Sequence, residues 1–215
     1  DAHRSRGGRV RAVGMSVAGT VSDSRLVQFT TRGWRDTDLS GLTAGLPGVP
    51  LLLGNDATLA GLAEARSGAA REAGTVLHLI IAVGLGGTLV VNGEPVTGAH
   101  GAAGEYGHVP FGNPALECPC GATGCWDLDI DGRALARHLG DSNPADPVAY
   151  ARKLLDRRPV DPTTRAAFDA VASALGRGLG GLVNLHDPDI VTLGGLAAPL
   201  RAAAPAAFDE AYRSG

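Results

Sequence analysis

The sequence contains no apolar run approaching the roughly 18 residues that a membrane-spanning helix requires, and residues 1–9 are polar. Neither a transmembrane segment nor a signal peptide is visible, so a cytoplasmic protein without membrane contact is expected. Positive charge is dispersed: Lys153 is the sole lysine, arginine supplies the rest, and the formal net charge is −3. With no lysine- or arginine-rich stretch, the electrostatic footprint that nucleic-acid phosphates demand is missing. Any DNA contact would have to come from a segment outside this chain. Cysteine is absent except between Cys118 and Cys125, which excludes a disulfide framework pinned across the fold. Repeats of solenoid period and low-complexity tails are lacking too.

What remains is 215 residues, 44% hydrophobic and 19% charged, the balance of a globular chain of one or two domains able to bury a core. Apolar strand-like runs alternate with helical periodicity, which predicts an α/β fold. Strands are expected at 9–17, 26–30, 49–53, 75–83, 88–91 and 189–193, and helices at 56–66, 132–139, 147–156, 162–185 and 199–213. Leu51-Leu52-Leu53 and the run 77–83 are nearly all apolar, the pattern of strands covered on both faces. Each leads into a polar or glycine-rich turn, Gly54-Asn55-Asp56 and Gly84-Leu85-Gly86-Gly87. Ligands of open α/β sheets sit beyond such strand ends. The stretch from Gly98 to Gly124 has little periodicity, and a loop that long is functional or stapled.

Cys118-Pro119-Cys120-Gly121-Ala122-Thr123-Gly124-Cys125 supplies the means of stapling. Three thiols lie close together, with glycines that let the backbone turn, and zinc takes four such donors in a tetrahedron. The fourth donor must come from elsewhere; His100 and His108 are the candidates upstream, His108 being nearer. Reduced surface thiols or a redox pair are the plainer alternative. Four protein ligands would leave no position for water or substrate, so such a zinc pins a loop and performs no chemistry.

Gly101-Ala102-Ala103-Gly104-Glu105-Tyr106-Gly107-His108 followed by the cysteine motif resembles the signature of the ROK family of repressors and sugar kinases. Val10 to Ser16 with Ala18-Gly19-Thr20-Val21, Gly33-Trp34-Arg35-Asp36, Gly54-Asn55-Asp56-Ala57, and Asp187-Pro188-Asp189 through Gly194-Gly195 follow in the family's order. The resemblance covers essentially the whole chain. It implies the two-lobed, actin-like (ribonuclease H-like) sugar-kinase architecture, incomplete at both termini. Residues 1–57 would be the remainder of the N-terminal lobe, and 58–215 the C-terminal lobe with its zinc loop at about 98–127. It implies zinc on His108, Cys118, Cys120 and Cys125, and a sugar or sugar phosphate at Asn55, Asp56, Glu105 and His108. Asp127 falls where the family usually has glutamate. Carboxylates accept paired hydrogen bonds from adjacent sugar hydroxyls, an amide both donates and accepts, and a ligating imidazole keeps its second nitrogen free.

Asp56 matches the base that takes the hydroxyl proton in the family's kinases. Asn-Asp ahead of Ala57-Thr58-Leu59-Ala60 also reads as a helix N-cap, and the two roles are compatible. Taken alone, Glu105 would be a solvated loop carboxylate and Asp127 the cap of the following helix. The kinases carry an Asp-x-Gly-x-Thr phosphate loop on their first strand, and nothing of the kind precedes Val10. Their second loop, Gly-Thr-Gly-x-Gly-Gly-Gly, is replaced by Ala82-Val83-Gly84-Leu85-Gly86-Gly87-Thr88. Gly84, Gly86 and Gly87 thus remain as nucleotide-binding candidates, with a simple hairpin between Val83 and Thr88 as the alternative. Cys125-Trp126-Asp127 resembles the family's regulators of the xylose or N-acetylglucosamine repressor type more than its kinases. The expectation is therefore the effector-binding part of a dimeric or tetrameric sugar-responsive regulator, not an enzyme. The rival is an ATP- and magnesium-dependent hexose kinase with Asp56 as base.

Overall fold

The structure, a computed structural model, describes residues 8–22, 26–29, 33–157 and 159–215. Nine strands, β1 (Val13–Val17), β2 (Thr20–Ser22), β3 (Leu26–Phe29), β4 (Trp34–Asp38), β5 (Leu51–Asn55), β6 (Thr75–Ala82), β7 (Gly84–Val91), β8 (Glu94–Pro95) and β9 (Ile190–Gly195), form three sheets among the described residues. β1 and β5 pair in parallel, β2–β3–β4 form an antiparallel sheet, and the third sheet has the order β8-β7-β6-β9. In that third sheet β6 runs antiparallel to β7 and parallel to β9. The helices are α1 (Asp56–Ser67), α2 (Gly132–Leu139), α3 (Pro147–Asp156), α4 (Pro162–His186), α5 (Ala197–Ala203) and α6 (Pro205–Ser214).

Aspartate caps set several of these starts. Asp131, Asp146 and Asp161 accept backbone N–H groups in the first turns of α2, α3 and α4, and proline opens the latter two helices. The main core lies between the four-stranded sheet and the helices: Leu77, Leu79 and Ile81 of β6 meet Phe168, Val171 and Leu175 of α4. The other face of β6 packs through Val76 against Ala65 and Ala70. The expectation of a strand covered on both sides holds for β6. It fails for β5, where Leu52 is 58% exposed: among the described residues no packed layer covers the face that Leu52 occupies.

Other departures have local causes. β4 escapes pattern reading because it is polar and largely exposed, held by pairing with β3 across an irregularity between Val27 and Phe29. β2 and β8 are too short for periodicity. The helix expected over 199–213 is two helices, α5 and α6, since Ala204 leaves helical geometry (φ −140°, ψ 61°) ahead of Pro205. Residues 84–87, expected as a turn, are the first half of β7, and Val83 alone makes the reversal between Ala82 and Gly84. Thr30, the end of an expected strand, lies outside the described residues. Among the described residues no helix is long and apolar enough to cross a membrane.

Candidate metal centre and the carboxylates around it

The cysteine segment folds back on itself. The Cys118 N–H donates to Ala122 O at 2.8 Å, Gly121 N to Cys118 O at 2.9 Å, and Gly124 N to Leu116 O at 2.9 Å. Gly121 takes φ +95°, a conformation an L side chain resists. This reversal brings Cys118, Cys120 and Cys125 together with His108, one donor atom from each lying within 4.8 Å of every other. His100 is not in the group. His108 Nδ1 sits 3.7 Å from Cys118 Sγ, and Cys120 Sγ 3.6 Å from Cys125 Sγ. A tetrahedron with metal–sulfur bonds of roughly 2.3 Å has edges of about 3.8 Å, so the donor set fits a tetrahedral divalent cation.

The thiols differ in environment. Burial raises Cys118 and pushes Cys125 up to about 12, whereas the Ala122 N–H lowers Cys120. A cation among them stabilises the thiolate form of all three. The loop is moored to the core by the next residue. Trp126 is fully buried, its indole N–H donates to Ala174 O of α4 at 2.9 Å, and its ring meets Phe111 edge-on.

Three further stations converge on the first residues of β7. A Cβ at Gly86 would lie 2.7 Å from the Ala57 Cβ, so the bare strand lets α1 begin there. A Cβ at Gly87 would lie 2.7 Å from the Tyr106 ring, and one at Gly107 2.5 Å from Leu85 O, which seats the 3-10 turn Tyr106–His108 on the same strand. Asp127 reaches Gly84, whose Cβ would stand 3.0 Å from Asp127 Oδ2. The glycines of 84–87 thus have packing reasons of their own.

At the start of α1, Asn55 caps Thr58 N at 3.0 Å and its Nδ2 donates to Gly19 O at 3.1 Å. Asp56 is exposed, with Oδ1 accepting the Ala57 N–H at 2.9 Å, so the capping geometry read from the sequence is present. Glu105, just ahead of the 3-10 turn, and His108, at its end, are exposed, and the Thr20 hydroxyl donates to Glu105 Oε1 at 3.3 Å. Asp127 is different. Its side chain is 13% exposed, Oδ2 lies 3.6 Å from Arg133 Nη2, and Oδ1 is buried without a partner. Burial raises its carboxyl above the ordinary range, partly offset by Arg133 and His108. It is not the cap of α2; that role belongs to Asp131. Thr20, Asp131 and Arg133 are the residues that sequence reasoning missed. An Asp-Gly pair at a helix start signals the cap, but nothing in sequence links Thr20 to Glu105 across 85 positions.

The profile of the ROK family matches residues 1–200. The chain belongs to the ROK family. It is 28% identical over 208 residues to a glucokinase of Streptomyces coelicolor, spanning 88% of this chain and 65% of that protein. It is equally 28% identical over 182 residues to a xylose repressor of Bacillus spizizenii, spanning 84% of this chain and 47% of the repressor. A crystal structure of a ROK glucokinase from Streptomyces griseus in complex with glucose and AMPPNP superposes with a TM-score of 0.80 at 28% identity, covering 99% of this chain and 74% of that one. The ROK chain thus has the α/β, actin-like sugar-kinase fold, with kinases and repressors alike among its relatives.

Proposed function

We propose that this ROK chain is the sugar-binding part of a transcriptional regulator. Structural zinc on His108, Cys118, Cys120 and Cys125 holds the loop that carries its carboxylates. Asn55, Asp56, Glu105, His108 and Asp127 contact the sugar; residues 1–57 belong to one lobe and 58–215 to the other. Binding between the lobes biases their relative angle, and in a dimer or tetramer that angle sets the spacing of DNA readers outside this segment. The protein works in the cytoplasm.

The observation that carries the regulator reading is the tip of the β6–β7 hairpin. Val83 offers no hydroxyl there, and the Gly84 N–H already donates to Asp131 Oδ2 at 3.1 Å. A phosphate approaching this tip meets a spent donor and two carboxylates, Asp127 and Asp131, against one Arg133 guanidinium. Gly84, Gly86 and Gly87 then serve packing, without ATP or magnesium. A neutral sugar carries no such penalty.

Titration calorimetry of the full-length protein with D-glucose, D-xylose and N-acetyl-D-glucosamine, beside a coupled assay with ATP and magnesium, tests the reading. Binding that Asp56→Asn weakens, without turnover, is the expected result. Robust turnover abolished by Asp56→Asn would establish the kinase instead, and no binding of any sugar would leave a scaffold.

A further inference from the structure

We infer that Arg133, pinned by Asp131, is the positioning residue that aims the Asp127 carboxylate at the sugar. The inference rests on the reading of Asp127 as a sugar contact and extends it to two residues that stand behind that carboxylate.

Asp131 is fully buried and every one of its bonds is directional. Its Oδ1 accepts Arg133 N at 2.8 Å and Ala134 N at 3.3 Å, while Oδ2 accepts Gly84 N at 3.1 Å and Arg133 Nε at 2.7 Å. A guanidinium held at Nε by such an anchor has little freedom left, since its plane is rigid. The remaining edge, Nη2, stands 3.6 Å from Asp127 Oδ2. One oxygen of Asp127 is thereby drawn toward Arg133, and the other, Oδ1, is left buried without a partner. A buried acceptor lacking a donor is costly, and a sugar hydroxyl is the class of group that supplies one. Aspartate has a single methylene between its carboxyl group and the backbone. Its reach is therefore fixed by what stands behind it, and behind it stands Arg133.

Lysine does not substitute. A single ammonium lacks the planar fork that faces Asp131 with one edge and Asp127 with another. Without the guanidinium, two carboxylates on neighbouring turns repel each other, and Asp127 leaves the orientation in which Oδ1 awaits a donor.

The test is a double-mutant cycle on the full-length, metal-loaded protein, read by calorimetry with D-glucose, D-xylose and N-acetyl-D-glucosamine, with metal content and thermal midpoint measured for each variant. Asp127→Asn and Arg133→Ala should each weaken binding by roughly tenfold or more, the double variant no further than Asp127→Asn alone, and Arg133→Lys should not restore it. Equal, additive losses in both backgrounds, or full rescue by lysine, would overturn the inference while leaving Asp127 a sugar contact. If Asp127→Asn binds every sugar as well as the parent, the reading beneath it falls as well, and Asp56→Asn then tells whether a sugar site exists at all. Should Arg133→Ala lose its metal or its thermal transition, Arg133→Lys and Arg133→Gln carry the same cycle.

Discussion

β5 and β6 both read as strands hidden on two faces, and they end in opposite surroundings. Leu77, Leu79 and Ile81 of β6 are completely buried between sheet neighbours and helices, while Leu52 of β5 is 58% exposed. An apolar run states a demand for cover; whether cover exists depends on elements remote in sequence. The consequence for the site is a division of labour. The metal loop is fastened to the region around β6 and α4, through Trp126, whereas Asn55 and Asp56 stand at the exit of the thinly covered β5. One half of the proposed sugar site is therefore backed by the main core, and the other by the seat of α1 on β7 and by a strand with one open face.

The sharpest way to break that contrast is Trp126→Ala. It empties a fully buried volume and leaves Ala174 O without its donor, so a loss of about 5 kcal/mol is expected, the upper end for such truncations. A shift of the urea midpoint at constant slope measures it; a loss under about 1 kcal/mol would mean the loop is not moored to α4.

Metal removal comes next. Purified protein should carry about one zinc per chain, and Cys125→Ser none. A metal present at a thousandfold its dissociation constant adds about 4 kcal/mol, so chelation should lower the midpoint by that order. An unchanged midpoint would show that the backbone reversal at residues 118–122 stands without the ion.

A smaller effect lies beneath the sheet. His78 is buried, its Nδ1 is 2.8 Å from the Thr192 hydroxyl, and its Nε2 has no partner. Burial lowers its pKa from 6.5, with Glu64 opposing the shift. The unfolded chain thus binds the proton first: the contribution of neutral His78 to stability is complete above 6.5 and is lost as pH falls below it. The slope is at most about 1.4 kcal/mol per pH unit. Ligands of the proposed metal would also protonate as pH drops, so the readout is the difference between the parent and His78→Asn, whose curve should be the flatter.

How much of this was legible in sequence follows from how local each signal is. α2 and α3 are found to the residue because aspartate caps and Pro147 or Gly140 mark their ends within one turn. The four candidate metal donors are legible because three share one short segment and the fourth lies just upstream. The break between α5 and α6 is signalled by Pro205, yet apolar periodicity across it favours one helix. Asp131 and Arg133 were not legible as site residues. Asp131 takes its place from Gly84, 47 positions away in sequence, and Arg133 from Asp127, whose buried Oδ1 no spacing encodes.

The least effect should come from Leu52→Ala. A leucine with most of its surface already in water has little transfer free energy to lose, so the change should stay within about 0.5 kcal/mol by urea denaturation. The same substitution at Leu79, on the strand with the same apolar character, should cost about 2–5 kcal/mol. The pair isolates cover from composition, since residue type and the change made are identical. A loss at Leu52 comparable with that at Leu79 would mean that, in the full-length protein, β5 is covered by something outside the described residues. Asn55 and Asp56 would then be as firmly backed as Asp127.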